Sequence, residues 1–284
     1  EGFKNESWYE TTTQTHVTRA LAATDEGEPQ VPRTDRMVVA NQTFVEIPAQ
    51  RYVMGMQAGA DSEDDDGLVR PHVVEVDRFF IMQTEVTRSL FYEFVRERPQ
   101  WAPSARGELV ESGRATEDYL QDWNGGTEVA RSSRPVHNVS YYAADAFCDW
   151  LEERLPPEFA DFEVRLPSEP EWEWATRLNA SESYDAVFAD AAMSTPLPVG
   201  TSHPGKLGVY DLLGNVWEWT SDWYHPGDYL VGDSSEFEAT QRVVRGGSWA
   251  NDRRSITTTT RGAQPPAWST PFLGFRPVIA EVAE

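Results

Sequence analysis

The sequence predicts an α+β fold in which short strands and helices are joined by many turns. The chain of 284 residues contains 19 glycines and 19 prolines, which favour turns and irregular connections over long helices. Apolar residues make up 39% of the chain and aromatic residues 12%, so it can bury a substantial core and is not globally disordered. Strand-like and helix-like segments interleave without an evident linker. We therefore predict one domain at 37–284, preceded by a polar arm or tail at 1–36.

The first half of the domain is predicted to contain strands followed by a helix. Alternating apolar residues predict two short strands separated by a turn in 37–55, and a further strand in 72–87. Apolar residues at helical spacing in RSLFYEFVRERP predict a helix that ends at Pro99. Residues 100–134 are expected to form a long, polar surface excursion. The acidic segment 61–67 is expected to be a solvated loop, because it lacks the glycine and glutamate that a calcium-binding EF-hand requires.

The second half is predicted to contain two capped helices and several short strands. Ser140 is predicted to cap a helix whose inner face includes Cys148, which we interpret as a buried core thiol rather than a nucleophile. Ser168 and Glu171 have the spacing of a capping box at the start of the next helix. Strands are expected within GVYDLLGNVWEWTSDWY (208–224), RVVRGGSW (242–249) and GFRPV (274–278).

The charge and the cysteine content exclude several classes of partner and site. The formal net charge is −23, which argues against nucleic acid and anionic lipid as partners. No apolar run approaches the roughly 20 residues that a membrane span requires. Cys148 is the only cysteine, so an intrachain disulfide and a zinc site or redox pair built from two cysteines are excluded. Because the chain begins at Glu1 without Met, we expect that an N-terminal segment was removed, either a signal peptide, with or without a lipid anchor, or another stretch of chain.

Five motifs follow one another in a fixed order along the domain. They are EVT (85–87), RPVHNVSYYAADAFCDWL (134–151), RLPSEPEWEWATR (165–177), GVYDLLGNVWEWTSDWY, and RVVRGGSW continued by an arginine and LGFRPV. This series, spread over residues 40–280, closely resembles the formylglycine-generating enzyme family, also called the sulfatase-modifying factor family. The resemblance implies that family's fold, a loop-rich variant of the C-type-lectin fold with little regular secondary structure. It also implies an extracytoplasmic location, in the periplasm, the cell envelope or outside the cell.

The chain departs from this family where the family's oxidative chemistry takes place. Its aerobic members oxidise a substrate cysteine with copper held by two cysteines after the Gly-Gly-Ser-Trp strand. Here those positions fall at about Asn251 and near Ile256, and residues 245–276 contain no cysteine. Because a copper(I) site needs thiolate or thioether ligands, we expect neither bound copper nor formylglycine-generating activity.

The resemblance implies a structural calcium ion at the YDLLGNVWEW motif. Two side-chain carboxylates and two backbone carbonyls hold it in the family, and such hard oxygen ligands suit calcium. The matching residues in this sequence are Asp211, Gly214, Val216 and Glu218. Strand alternation predicts that Trp217 and Trp219 enter the core while Glu218 faces the turn. The alternative is a capped turn in which a carboxylate pairs with an arginine.

The loop that follows the Gly-Gly-Ser-Trp strand, residues 250–272, is predicted to be a recognition surface and is called the recognition loop below. Exposed arginine and aromatic residues are typical of binding patches. The residues expected to contact a protein partner or a small ligand are Asn251, Asp252, Arg253, Arg254, Trp268 and Phe272. The four threonines at 257–260 fit either this loop or a plain β-strand. Three arginines are instead expected to tie loops to the scaffold: Arg245, Arg261 and Arg276.

Two classes of function remain open. The first is a binding or structural partner subunit that has the family's fold without its formylglycine-generating activity. The second is a divergent oxidoreductase, similar to the pyoverdine-maturation members of the family, which uses an unidentified metal or cofactor. The five histidines contain no His-x-His or His-x-x-x-His pair, so the sequence offers no evident metal triad. A pocket with convergent histidines or carboxylates would favour the enzyme, and a flat surface rich in aromatic residues and arginine would favour the binding protein.

Overall fold

The computed structural model describes residues 35–55, 71–123, 128–180, 187–188, 194–225 and 239–282. The predicted acidic loop at 61–67, and the predicted arm up to residue 34, lie outside these ranges. The strands are β1 Arg36–Val39, β2 Gln42–Ile47, β3 Gln50–Met54, β4 His72–Val76, β5 Phe79–Met82, β6 Phe162–Arg165, β7 Trp217–Trp223, β8 Arg242–Arg245, β9 Arg261–Gln264, β10 Leu273–Gly274 and β11 Val278–Glu281. The α-helices are α1 Arg88–Glu97, α2 Arg106–Glu111, α3 Tyr141–Glu152 and α4 Glu169–Asn179.

The strands of the described part form three sheets. A five-stranded antiparallel sheet has the order β1-β2-β5-β11-β6, and a four-stranded sheet has the order β10-β7-β8-β9, in which β10 and β7 are parallel. Strands β3 and β4 pair with each other. Strand β11 lies between β5 and β6, so that Ile279 is opposite Phe80 on one side and Val164 on the other. The last strand in the described ranges, β11, therefore lies in the same sheet as the first, β1.

Two hydrophobic clusters pack around these sheets. One cluster lies around α1 and α3, where the rings of Phe91 and Phe147 stack 5.8 Å apart and Phe275 meets Phe147 edge-on at 5.2 Å. The other cluster includes residues of β2, β5 and α4, with Trp172 fully buried. Trp217 packs against both clusters, so strand β7 runs along the boundary between them. The residues on either side of β7 form the candidate site.

The predicted helices are confirmed, and local capping accounts for where they begin. Thr87 caps α1, which ends at Glu97 ahead of Pro99. The Ser140 hydroxyl accepts a hydrogen bond from the Ala143 amide at the start of α3. The capping box at the start of α4 is present in full. No helix in the described ranges is long and apolar enough to cross a bilayer, the longest being the 12 residues of α3.

The strand predictions were wrong in their boundaries. Residues 37–55 contain three strands rather than two, because Ala40 and Asn41 adopt positive φ angles of 48° and 60° and close a tight turn between β1 and β2. Residues 72–87 contain β4 and β5 with a break between them. Within 208–224 only β7 is a strand, because residues from Asp211 to Asn215 include three with positive φ, which an extended strand cannot accommodate.

The segment 100–134 was also predicted incorrectly. It was expected to be a polar surface excursion, but it contains α2 and contributes side chains to the first cluster, including Trp101, Leu109 and Tyr119. The hydroxyl of buried Tyr119 donates a hydrogen bond of 2.8 Å to the Trp101 carbonyl. The apolar residues in this segment lack a helical or strand period, so the sequence pattern alone did not identify them as core.

Candidate functional site

Two glycines connect β8 to the recognition loop. Gly246 and Gly247 adopt φ angles of 97° and 76°. A Cβ atom at Gly247 would lie 2.7 Å from the Ile256 side chain, and one at Gly246 would lie 2.9 Å from the Leu212 carbonyl oxygen. The backbone therefore approaches its neighbours more closely than any other residue type allows. Ile256 itself is buried.

Asn251 is held by the scaffold rather than presented to a partner. Its Oδ1 accepts hydrogen bonds from Trp217 Nε1 at 3.1 Å, from the Ser248 amide at 2.9 Å and from the Ser248 hydroxyl at 3.0 Å. The two positions at which the resemblance placed cysteines thus carry a structural amide and, at Ile256, a buried aliphatic side chain.

The next four residues of the recognition loop, 252–255, form a short exposed turn with its cap. Asp252 caps the turn Arg253–Ser255, and its Oδ2 lies 2.7 Å from Arg254 Nη2. Hydrogen bonds from Arg254 lower the pKa of Asp252 to about 2. The Arg254 side chain is 89% exposed, whereas the Arg253 guanidinium lies 5.2 Å from the Phe188 ring centroid. Arg254 is therefore the more accessible of the two arginines.

The end of the recognition loop carries two exposed aromatic side chains. Trp268 is 47% exposed and Phe272 is 37% exposed. The Phe272 ring lies 5.4 Å from that of Trp249, and Trp249 Nε1 donates a hydrogen bond to the Pro271 carbonyl at 3.2 Å. An aromatic surface is thus fixed on rigid backbone.

The threonine run is a turn, so its interpretation as a plain strand was wrong. Thr257 and Thr260 join through their hydroxyls at 3.0 Å, and β9 begins only at Arg261. Arg245 Nη2 donates to the Thr258 carbonyl at 2.7 Å, and Nη1 donates to the Thr259 carbonyl at 3.2 Å. Two further carbonyls of the loop also accept hydrogen bonds from the scaffold. The Tyr141 amide of α3 donates to the Pro266 carbonyl, and the Asn138 amide, just before α3, donates to the Thr270 carbonyl.

Arg245 also joins the recognition loop to helix α4. This fully buried guanidinium lies 3.1 Å from Glu169 Oε1 and 2.8 Å from Glu173 Oε2. Arg261 forms a bidentate ion pair with the same Glu169, from Nε to Oε1 at 2.7 Å and from Nη2 to Oε2 at 2.9 Å. The predicted role of these arginines in tying loops to the scaffold is confirmed.

Arg276 forms a second buried ion pair, with Glu218. Its Nη2 lies 2.7 Å from Glu218 Oε1, and Trp172 Nε1 donates to Glu218 Oε2 at 2.9 Å. Trp219 is fully buried and Trp217 packs against both hydrophobic clusters, as the alternation predicted for β7 requires, but Glu218 is fully buried as well. Both faces of β7 are covered, so burial does not follow the period of two.

Asp211 is likewise held by protein donors. Its Oδ2 accepts a hydrogen bond of 2.7 Å from the Gly200 amide, and its Oδ1 accepts one from the Ser202 hydroxyl. Across the described residues, no three histidine, cysteine, aspartate or glutamate side chains converge as metal ligands. The ion pair between Glu218 and Arg276 is the one expected for the alternative to calcium, a capped turn in which a carboxylate pairs with an arginine. Calcium binding at these residues stays a prediction.

Sequence reasoning missed Glu85, which lies in the same interior. Its Oε1 accepts a hydrogen bond of 2.9 Å from Asn215 Nδ2, and its Oε2 has no hydrogen-bond partner in the described part of the chain. Burial raises the pKa of Glu85, and the charges of Asp211 and Glu218 add to this effect while Arg276 opposes it. We call Glu85, Asp211, Glu218 and Arg276 the carboxylate centre. A lone acid at the end of an apolar strand is the sequence signal that could have identified Glu85.

Comparisons with known proteins decide the family. Residues 29–281 match the profile of the sulfatase-modifying factor enzyme 1-like domain. The chain belongs to this family. This sulfatase-modifying factor domain is 28% identical to the inactive C-alpha-formylglycine-generating enzyme 2 of Mus musculus, over 86% of this chain and 88% of that protein. It is 27% identical to hercynine oxygenase of Mycolicibacterium smegmatis, over 82% of this chain but only 60% of that protein.

A solved structure supports the same fold assignment. PvdO from Pseudomonas aeruginosa superimposes with a TM-score of 0.60 at 21% identity, over 87% of this chain and 98% of that one. Together with the family match, this likeness confirms the predicted α+β fold of the sulfatase-modifying factor family. Other curated relatives are much longer than this chain. Two chlamydial serine/threonine-protein kinases match it, and the match spans 34% and 37% of their length.

Proposed function

We propose that this sulfatase-modifying factor domain is an extracytoplasmic binding or structural partner subunit without formylglycine-generating activity. The observation that carries the proposal is the recognition loop, which presents Trp268, Phe272 and Arg254 to solvent from a firmly anchored backbone. Aromatic residues and arginine dominate the energetics of protein interfaces. A rigid scaffold with an exposed loop of this composition suits a contact with a protein partner or a small ligand.

The space beside the recognition loop also favours binding over oxidation. A cavity of about 180 Å³ is lined there by Thr176, Asn179, Ala180, Leu212, Leu213, Arg253 and Thr258. Among the described residues, this lining includes no histidine, carboxylate or thiol, which are the groups that hold a redox metal or carry protons. The one cysteine of the chain, Cys148, is buried in α3, and burial raises the pKa of its thiol. It is therefore a poor nucleophile.

The first test is enzymatic. The protein, incubated with copper, oxygen and a peptide that contains Cys-x-Pro-x-Arg, is expected to leave the peptide mass unchanged, because residues 245–276 offer no thiolate for copper. Mass spectrometry of the peptide is the measurement, with a known active formylglycine-generating enzyme as the positive control. Conversion of the peptide cysteine would contradict the proposal. The alternative, a divergent oxidoreductase with another metal or cofactor, predicts a stoichiometric redox metal or chromophore in the natively purified protein.

The second test addresses the recognition loop. Trp268→Ala and Arg254→Ala are each expected to reduce the recovery of a specific co-purifying partner by about tenfold, since both side chains are exposed and of a type that anchors interfaces. Tagged protein is purified from its native host, and the retained chains are quantified by mass spectrometry.

Arg51→Ala is the matched control, because Arg51 is also an exposed arginine paired with a carboxylate, but it lies on β3. This variant is expected to retain the partner fully. If both loop variants retain it as well, the binding surface lies elsewhere in the chain and the assignment to the recognition loop fails. Cell fractionation of the host tests the extracytoplasmic location separately.

We also propose that a calcium ion binds at Asp211 and Glu218, with carbonyls of Gly214 and Val216. Charge supports the proposal, because three buried carboxylates in the carboxylate centre share one guanidinium and Glu85 Oε2 has no partner in the described ranges. The carboxylates of Asp211 and Glu218 already accept hydrogen bonds, so the ion would share them with Ser202 and Arg276. When bound, calcium would supply structural charge balance and no step of a reaction.

Chelation tests the calcium proposal. EGTA is expected to lower the melting temperature of natively purified protein, and added calcium is expected to restore it, because a ligand that binds the folded state stabilises that state. Glu218→Gln keeps an acceptor for Trp172 Nε1 but removes one ligand charge, so this variant is expected to lose the sensitivity to chelator. A melting temperature that EGTA leaves unchanged would instead support the capped turn with its ion pair.

A further inference from the structure

A second, polar cavity lies beside the start of α1. Its volume is about 310 Å³, and its polar lining consists of two arginines, two carboxylates and two hydroxyls: Arg88, Arg134, Asp122, Glu128, Ser132 and Thr195. None of these residues belongs to the recognition loop or the carboxylate centre. The cavity is therefore a candidate site distinct from the one proposed above.

Asp122 lines this cavity and is held there by three neighbouring side chains. Arg88 Nη1 lies 2.6 Å from Asp122 Oδ2, and Asn138 Nδ2 lies 3.5 Å from Asp122 Oδ1. His137 approaches the same carboxylate, with Nε2 at 3.6 Å from Oδ2. The Arg88 guanidinium also lies 5.5 Å from the Trp123 ring, which restricts its orientation. These contacts hold the charged floor of the cavity in one arrangement.

The residues around Asp122 keep hydrogen-bonding capacity that the fold does not use. Four of the eight buried side-chain atoms without a partner in the described part of the chain lie on residues next to Asp122, of which only Arg88 lines the cavity: Arg88 Nε, Trp123 Nε1, His137 Nδ1 and Asn138 Oδ1. His137 is only 6% exposed and Asn138 only 1%. Buried polar atoms are nearly always satisfied in native proteins, so this concentration beside the cavity marks a region suited to polar contacts beyond those made by the described residues.

The charges around the cavity indicate what kind of ligand fits. Arg88 and Arg134 contribute two positive charges, and Asp122 and Glu128 contribute two negative charges. Burial lowers the pKa of His137, with Arg88 and Arg134 adding to this effect and Asp122 opposing it, so the environment favours the neutral form of this histidine. A simple anion would meet two carboxylates, and a simple cation would meet two guanidinium groups. A molecule with one charge of each sign avoids both conflicts.

We propose that this cavity binds a compact zwitterion of the amino-acid class. Its carboxylate pairs with the guanidinium of Arg134, which is anchored by a hydrogen bond from Nη1 to the Pro196 carbonyl. Its ammonium group pairs with the exposed carboxylate of Glu128, which also lines the cavity. Planar guanidinium groups recognise carboxylates through two parallel hydrogen bonds, which gives the site its selectivity for this end of the ligand.

Isothermal titration calorimetry of dialysed protein tests the proposal, with the standard L-amino acids, acetate and methylammonium as probes. At least one amino acid is expected to bind with 1:1 stoichiometry and about tenfold more tightly than either single-charge ion. Arg134→Gln and Glu128→Gln are each expected to weaken that binding by about tenfold. Arg131→Gln is the matched control, because Arg131 is an exposed arginine of the same segment that does not line the cavity.

Several outcomes would overturn the zwitterion proposal. They are the absence of binding by every amino acid, equal binding of acetate, and unchanged binding by both cavity variants. Urea unfolding of each variant, followed by circular dichroism, establishes that the fold is intact. Trp268→Ala is expected to bind the amino acid like the unaltered protein, so a failure at this cavity and a failure at the recognition loop give different results.

Discussion

Arg276→Met is expected to lower the free energy of unfolding by about 3–5 kcal/mol, because it leaves a buried carboxylate without its counter-charge. Glu218 is fully buried and would then lie near Glu85 and Asp211 without the guanidinium that pairs with it. Arg276 also donates hydrogen bonds to the carbonyls of Met82 and Tyr210, which the variant leaves unsatisfied. Urea titration followed by tryptophan fluorescence measures the change.

A double variant provides the control for this prediction. Arg276→Met combined with Glu218→Gln is expected to be more stable than Arg276→Met alone, because the buried charge disappears while an acceptor remains for Trp172 Nε1. Equal stability of the single and double variants would mean that the lost backbone hydrogen bonds, rather than the unpaired charge, dominate the effect.

Arg245→Met is expected to have a comparable cost, about 3–5 kcal/mol, since it removes a fully buried guanidinium from two buried carboxylates. It has a second, local consequence. The carbonyls of Thr258 and Thr259 lose their donor, so amide hydrogen exchange in residues 257–260 is expected to accelerate more than the global loss of stability explains. Native-state exchange measured by mass spectrometry separates the local effect from the global one.

The matched control is Arg177→Met. Arg177 pairs with the same Glu173 at 2.6 Å, but its side chain is 31% exposed, so water compensates for much of the loss. We expect a cost of about 1 kcal/mol or less. If Arg177→Met and Arg245→Met destabilise the protein equally, burial does not set the strength of these pairs and the explanation given for Arg245 is wrong.

Helix positions could be predicted from the sequence because their signals are local. The Ser168 and Glu171 side chains lie three residues apart, and each satisfies the backbone of the other at the first turn of α4. Likewise, the pattern of apolar residues in α1 and α3 directly records which faces are buried. The two glycines after β8 are also a local signal, since close backbone approach constrains the residue type at those positions.

The burial of Glu218 and the role of Asn251 could not be predicted in this way. Glu218 is buried because Arg276, 58 positions further along the chain, pairs with it, and both faces of β7 are covered by other elements. Asn251 is a polar residue in a loop of binding composition, but its side-chain oxygen accepts hydrogen bonds from Trp217 and Ser248. Sequence alternation reports neither contact, because both depend on segments that meet only in the folded chain.

The anchors of the recognition loop have a consequence for how this protein could diversify. Five of them end on main-chain carbonyls, at Thr258, Thr259, Pro266, Thr270 and Pro271. Every residue type carries the same carbonyl group, so the side chains at such positions are free to change while the attachments persist. Mutational drift, or a randomised library at 258, 259 and 268, would then sample new specificities on an unaltered framework, much as hypervariable loops do in immune receptors.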